Sequence, residues 1–520
     1  MNTEEAKGSR KNSSPFSHPI FRPPCADLPL QNPQRGLCDA CGFAPSDQLN
    51  LSRIWARILR SYSFASPKVD CGRAKAAMSR QWFIIVFSVL HVICILLIYD
   101  IATARQASKT LTRFHDPVIV NTSLLRELPT RETARYRLYS AHQGVLSPIP
   151  FQFDERDDTG EIVFPGKDDT GDFTFDDDDE LVFMAKDLGD RIPPSLLPGK
   201  RNGAFEIEVT DPVNESQGWA YLLHFSESPP PLSPVTYATF DSEANQARAL
   251  FYTMDYFPGW NFFTAMRIHA IAGGTGENIL NRMKLRIQPT FSLGLTTWSP
   301  LFTEQDMTVK IDGVKNGHVR AIRRVRQSLD LGRYLPSIPN GTTYTYFYFS
   351  SFITPSKFKI PWLVLKLLRE FRFTGVSDFR QNAIGMKYWD APNSQGLTFT
   401  GSHETNVNTK EDHDWYVVSG KAGTHLQAFI IPEEWKQWGI VRGTVFLDDD
   451  LALQGDGPED EPGTHAAGYS LLNMANIREP GEYDMTMAVI VLSHPYSPGD
   501  EKEPLAMLKQ PLVPNVQRIP

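Results

Sequence analysis

From Gln81 to Tyr99 the chain carries no charged side chain. Nineteen positions, QWFIIVFSVLHVICILLIY, depart from apolar character only at Gln81, Ser88 and His91. A helix of about 20 residues rising 1.5 Å each crosses the hydrocarbon core of a bilayer. Residues 81–101 are therefore expected to form a single transmembrane helix. A second reading starts the protein at Met78 and makes the stretch a signal cut near Ala102-Thr103-Ala104, although the run exceeds the usual signal core of about 7–15 residues.

Charge orients the span. Residues 1–80 hold 12 Lys/Arg against 6 Asp/Glu, and the remaining 440 hold 40 against 54. Basic flanks stay on the cytoplasmic side, and Lys68, Arg73, Lys75 and Arg80 adjoin the span. This predicts a cytoplasmic N-terminus and a periplasmic or extracellular C-terminal part. All five cysteines lie at or before Cys94, so the exported part must hold together by burial without disulfides.

The first 80 residues read as a basic, largely disordered segment. Leu51, Ile54, Trp55, Ile58 and Leu59 recur at helical spacing, with Arg53, Arg57 and Arg60 off that face. An amphipathic helix over 51–62 fits an interfacial position or a partner protein. Cys38 and Cys41 form a C-x-x-C pair able to present two thiolates to zinc, or an incidental pair in a loop.

Beyond a linker over 102–145, residues 146–495 alternate in the manner of short strands. Ala204 to Val209 and Trp219 to Phe225 read as a hairpin. Asp312-Gly313 and Asn316-Gly317 are turn dipeptides, with a strand over Val319 to Val325. Thr343 to Phe352, Val441 to Leu447 and Asp484 to Ser493 are further β runs. The expected fold class is mainly β, a large β-sandwich, either one supersandwich or two sandwiches divided near residue 335. Between Pro361 and Gly375, WLVLKLLREFRF predicts a helix with Lys366, Arg369 and Arg372 on one side. Residues 496–520 read as an extended, proline-punctuated tail.

The sharpest local feature runs from Asp154 to Asp190, with 15 Asp/Glu in it. Adjacent carboxylates repel, so folding requires a counter-charge or full hydration. Calcium would supply one through Asp168, Asp172, Asp176 and Glu180. A solvated loop is the alternative. The glycine and terminal glutamate of an EF-hand are missing, since Phe173 and Asp179 stand there. Catalytic candidates are Asp154 and Glu155, and the His403-Glu404 pair with His413 in a histidine-rich stretch. Trp435 and Trp438 are one helical turn apart and are expected to be an exposed, sugar-stacking pair.

Ile149-Pro150-Phe151-Gln152-Phe153-Asp154-Glu155-Arg156-Asp157, followed by Asp179-Glu180-Leu181-Val182-Phe183, resembles a pattern in uncharacterised exported bacterial proteins. A looser likeness runs to β-supersandwich proteins that act on polysaccharides, where a turn glycine precedes a strand like Val319-Arg320-Ala321-Ile322. The resemblance implies an exported β-rich protein and carries no catalytic residue.

The local basic stripe of Arg320, Arg323, Arg324 and Arg326 lies in an acidic exported part, which argues against nucleic acid as a partner. No phosphate loop or nucleophile elbow occurs. The expectation is a membrane-anchored binding or scaffold protein of the cell envelope, possible calcium aside without cofactor, with a glycan or envelope protein as ligand. A carbohydrate-active lyase or hydrolase on the same fold, or an accessory subunit of a membrane complex, are the other readings. Whether it is an enzyme is left open.

Overall fold

The computed structural model describes residues 88–89, 107–125, 128, 132–157, 159–166, 177–259, 261–329, 338–401, 405–448 and 465–519. By compactness the chain divides into Met1–Val89 and Leu90–Pro520. Of the first unit only Ser88 and Val89 are described, in helical conformation. The expected helix over 51–62, the Cys38–Cys41 pair and nearly all of the apolar span lie outside the described residues. Among those described, no helix is long and apolar enough to cross a membrane.

The second unit is built from antiparallel sheets, in keeping with a large β-sandwich architecture. A five-stranded sheet runs Val513–Ile519, Gly203–Thr210, Gln217–His224, Tyr136–His142, Val145–Pro148. A three-stranded sheet, Pro117–Asn121, Glu180–Met184, Gln152–Asp154, shares a core with it. The alternation in each strand explains the match. Val118, Val120, Leu181 and Phe183 meet Leu138, Phe205, Ile207 and Leu222, all fully buried or nearly so. The predicted hairpin is present as Gly203–Thr210 paired with Gln217–His224. Residues 107–142, expected as linker, instead contribute the strands Pro117–Asn121 and Tyr136–His142.

The remaining chain forms a seven-stranded, a nine-stranded and a four-stranded sheet around one large core. The seven-stranded sheet has Leu280–Leu293, Leu368–Phe379, His465–Leu472 and Val441–Asp448 side by side. The nine-stranded sheet places Ala321–Leu329, Ile338–Phe347, Ser351–Ile360, Gly481–Leu492 and Gly423–Ile430 in sequence. Ala321–Leu329 pairs with Ile338–Phe347 across residue 335, so strand pairing continues where a division was expected.

Three local expectations are corrected. The helix between Pro361 and Gly375 stops early: only Trp362–Leu367 is helical, and Leu368–Phe379 is a strand flanked by Leu280–Leu293 and His465–Leu472. Long-range pairing on both edges overrides the helical pattern of those apolar residues. Asp312-Gly313 is no turn but a register shift within Met307–Asn316, where the ring of Phe164 occupies the space of a Gly313 side chain. The tail docks. Lys502–Lys509 is a helix whose Met507, Leu505 and Leu508 cover Val417, Leu426 and Ile490 of the nine-stranded sheet, and Val513–Ile519 completes the five-stranded one.

Candidate functional site

The acidic motif joins the three-stranded sheet to the nine-stranded one. Gln152 and Asp154 lie on one strand and Glu180 begins its neighbour, so the pairing Asp154↔Glu180 brings two carboxylates side by side. Like charges so placed need cations. Arg320 supplies one from the end of the turn before Ala321–Leu329. Its Nε donates to Asp154 Oδ2 at 2.8 Å, its Nη2 to Glu180 Oε2 at 2.6 Å and its Nη1 to the Tyr348 hydroxyl at 3.1 Å. Its guanidinium also stacks over Tyr346 at 4.6 Å. Lys315 Nζ reaches Asp154 Oδ1 at 3.0 Å. Arg156 donates twice to Glu180 Oε1, at 2.9 and 2.6 Å. Gln152 closes the arrangement: its amide donates to both oxygens of Asp154, and its carbonyl accepts the main-chain N–H of Val319 and Arg320.

Asp154 and Arg320 are buried together. Burial alone would push the Asp154 carboxyl up, but the charges of Arg320 and Lys315, with hydrogen bonds from Lys315 and Gln152, hold it below the usual range. A carboxylate so saturated has no lone pair for a substrate proton, so its chemistry is that of a fixed counter-ion. Glu180, placed in the expected calcium set, has each oxygen engaged by a guanidinium. Its former companions Asp168, Asp172 and Asp176 lie outside the described residues. Glu155 borders a cleft of about 460 Å³ with Phe153, Asp179 and Lys315. A second cleft of about 450 Å³ is lined by Arg156, Glu180, Arg320, Tyr346 and Tyr348.

The histidine stretch is described only in part. His403 and Glu404 lie outside the described residues. His413 is in a loop, its Nε2 3.9 Å from Glu411, while Asp412 is bound to Arg442 through a 2.5 Å contact. His425 sits inside the strand Gly423–Ile430, where burial pushes its imidazole down to about 4. Among the described residues no group of three His, Cys, Asp or Glu is placed to hold a metal ion. The expected exposed tryptophan pair is also corrected. Trp435 is fully buried against Phe358 and Tyr483, and Trp438 is half-buried against the same tyrosine. The short helix Glu433–Gln437 turns its glutamates to solvent and the indole inward.

A different surface has the composition of a ligand site. A cleft of about 630 Å³ at one end of the seven-stranded sheet is lined by Arg369, Arg372, Lys410, Asn408, Asn473 and Asn476, with Glu370 and Phe371. All six of the first group are exposed. Arg372 and Lys410 have no ion pair among the described residues. Asn473 sits at a φ of 61°, a left-handed conformation that asparagine tolerates. Its amide donates to the Gly439 carbonyl at 3.0 Å, and that of Asn476 to the Trp438 carbonyl at 3.1 Å. The wall carrying both amides is thereby fixed to the turn after the buried Trp435. Arg369 and Arg372 stood out in the sequence only as the side of a helix. Lys410 and the asparagines carried no local signal.

A further pair was not legible. His465 Nδ1 lies 2.8 Å from Asp448 Oδ1, and Asp448 also accepts from the main-chain N–H and hydroxyl of Thr400 and from Gly401. The run Asp448-Asp449-Asp450 suggests a solvated loop, whereas its first member is buried at a strand end.

No protein-family model matches the chain, and no curated protein matches it. Among solved structures it is similar to an alpha-mannosidase from Enterococcus faecalis V583, at 9% identity and a TM-score of 0.39, over 79% of this chain and 46% of that one. It is similar to a protein in the glycosyl hydrolase family 38 from Enterococcus faecalis, at 9% identity and a TM-score of 0.39, over 80% and 47%. It is also similar to the Slr1438 protein from Synechocystis sp. PCC 6803, at 11% identity and a TM-score of 0.31, over 52% and 100%. The chain thus spans just under half the length of the two Enterococcus proteins.

Proposed function

We propose that this is a binding module for an acidic glycan, held at a membrane by residues 81–101 with its β-sheet unit on the non-cytoplasmic side. The observation that carries the reading is the cleft of Arg369, Arg372 and Lys410 on a chain of net charge −8. Guanidinium groups take carboxylate or sulfate oxygens in a bidentate fork. Exposed asparagine amides offer donors and acceptors for hydroxyl groups, and Phe371 offers a flat apolar surface. Uronate or sulfated sugars present that combination. The engaged state of Asp154 and Glu180 supports binding over acid–base chemistry at the acidic motif.

Calorimetric titration of the full chain with an oligosaccharide of uronic acids, beside a neutral oligosaccharide of equal length, tests this. Preference for the acidic ligand, with Arg372→Ala and Lys410→Ala each weakening it about tenfold, or about 1.4 kcal/mol, is the expected result. Equal affinity for both sugars, or variants that bind like the parent, would contradict it. Because both side chains are exposed, neither substitution should move the melting temperature.

A further inference from the structure

A hairpin and a short helix at one end of the seven-stranded sheet leave large apolar side chains in water. Leu293, Leu295 and Leu301 are 65%, 107% and 56% exposed, and Trp362 is 61% exposed. Leu295 stands at the tip of the turn between Leu280–Leu293 and Thr296–Trp298, beside Gly294 at a φ of 60°. Tight turns ordinarily take glycine, asparagine or aspartate there, so a fully exposed leucine needs a reason.

The tip is built rather than loose. Phe291 and Trp298 face each other across the strands with ring centres 5.5 Å apart, and Thr290 and Ser299 hydroxyls lie 2.9 Å apart. Phe291, Trp298, Val364 and Leu367 belong to one apolar cluster, so the hairpin and the helix Trp362–Leu367 are packed at a common base. Lys366 Nζ sits 5.6 Å from the centre of the Trp362 ring. Cations lie closest to these residues, with Glu370 next to Arg369 and Asp306 five residues beyond Leu301. Residues 280–303 and 361–369 contain no aspartate or glutamate, although the chain as a whole is acidic. Lys366 and Arg369 are exposed beside the apolar group.

We infer that this end of the sheet docks on a lipid surface bearing anionic headgroups, with the leucines and Trp362 entering the acyl boundary and Lys366 and Arg369 on phosphate. A protruding leucine tip, a tryptophan at the headgroup level and cations beside them are what an interfacial site requires. The inference shares Arg369 with the acidic-glycan cleft but rests on Leu295, Leu301, Trp362 and Lys366, and the variants that test it leave that cleft intact.

Hydrogen exchange of the full chain, mixed with vesicles of phosphatidylcholine alone or with phosphatidylserine added, tests it. Exchange at Gly294 and Leu295 should slow at least tenfold with the anionic vesicles. The slowing should vanish in Leu295→Asp/Leu301→Asp, whose melting temperature should match the parent because both leucines are exposed. Unchanged exchange on anionic vesicles would overturn the inference. So would slowing that persists in the double variant, or slowing that follows protein concentration without lipid, which would assign the patch to a second copy of the chain.

Discussion

Replacing Arg320 by methionine separates a structural clamp from a reactive site. The guanidinium makes three hydrogen bonds, to Asp154, Glu180 and Tyr348, and is buried with Asp154. Methionine keeps the stem and leaves a buried carboxylate short of its main cation. Breaking a buried pair on one side costs roughly 3–5 kcal/mol. Lys315 and Gln152 still reach Asp154, so the loss should fall near the lower end, about 3 kcal/mol, a large share of a typical stability of about 5–15 kcal/mol. Urea unfolding of the full chain at pH 7, followed by tryptophan fluorescence, measures it. Adding Asp154→Leu should recover part of the loss, giving a coupling of at least about 1 kcal/mol.

The pH dependence has a defined sign. In the parent the Asp154 pKa is depressed, so its contribution is present above the unfolded value and lost as pH falls through the folded one. Without Arg320 the carboxyl is driven upward and its protonated form is favoured in the fold. The gap between parent and variant should therefore narrow as pH falls toward about 4. A loss under about 1 kcal/mol, or additive single and double variants, would refute the clamp.

Other outcomes follow from burial and packing. His115 and His425 are both pushed down to about 4, by burial and, for His115, also by His494. The unfolded chain binds more protons between about pH 6.5 and 4, so stability should fall as pH drops through that window, by up to about 3 kcal/mol per imidazole; comparing the unfolding free energy of His425→Leu and parent at pH 7.5 and 4.5 isolates its share. Trp435→Ala empties the contacts with Phe358 and Tyr483 and should cost about 3–5 kcal/mol in the same urea assay. Gly317→Ala would bring a Cβ to 2.2 Å from Gln152 Oε1, so it should dislodge the clamp and lower the melting temperature, whereas Gly144→Ala, with open space around it but a φ of 80°, reports only backbone strain.

Much of the strand pattern was legible because alternation is local. The hairpin of Gly203–Thr210 and Gln217–His224, the strand Val441–Asp448 and the strand Gly481–Leu492 all stand where period-two runs lie. What failed depended on distant pairing. The stretch after Trp362 has leucines at helical spacing, yet from Leu368 onward it is held by neighbours on both sides. The tail looked extended because its apolar residues are few; they are enough to cover one sheet face and complete another. A run of carboxylates calls for a counter-charge or full hydration, and at Asp154 and Glu180 the charge comes from Arg320 and Lys315, which are far along the chain. No spacing rule links Gln152 to the amides of Val319 and Arg320. The cationic cleft draws Arg369 and Arg372 from one strand, Lys410 from the loop after Thr405–Asn408 and Asn473 from a turn, so only the two arginines left a local pattern.

The central claim is that ligand is taken by the cationic cleft and that the acidic motif holds the fold. A crystal structure of the protein soaked with a uronic-acid oligosaccharide tests it most directly. The account predicts a ligand carboxylate within about 3 Å of the Arg372 guanidinium, with Asp154 and Glu180 still paired to Arg320. Sugar bound beside Arg156 and Tyr346 with the Arg320 pairs broken, and an empty cleft at Arg372, would contradict it.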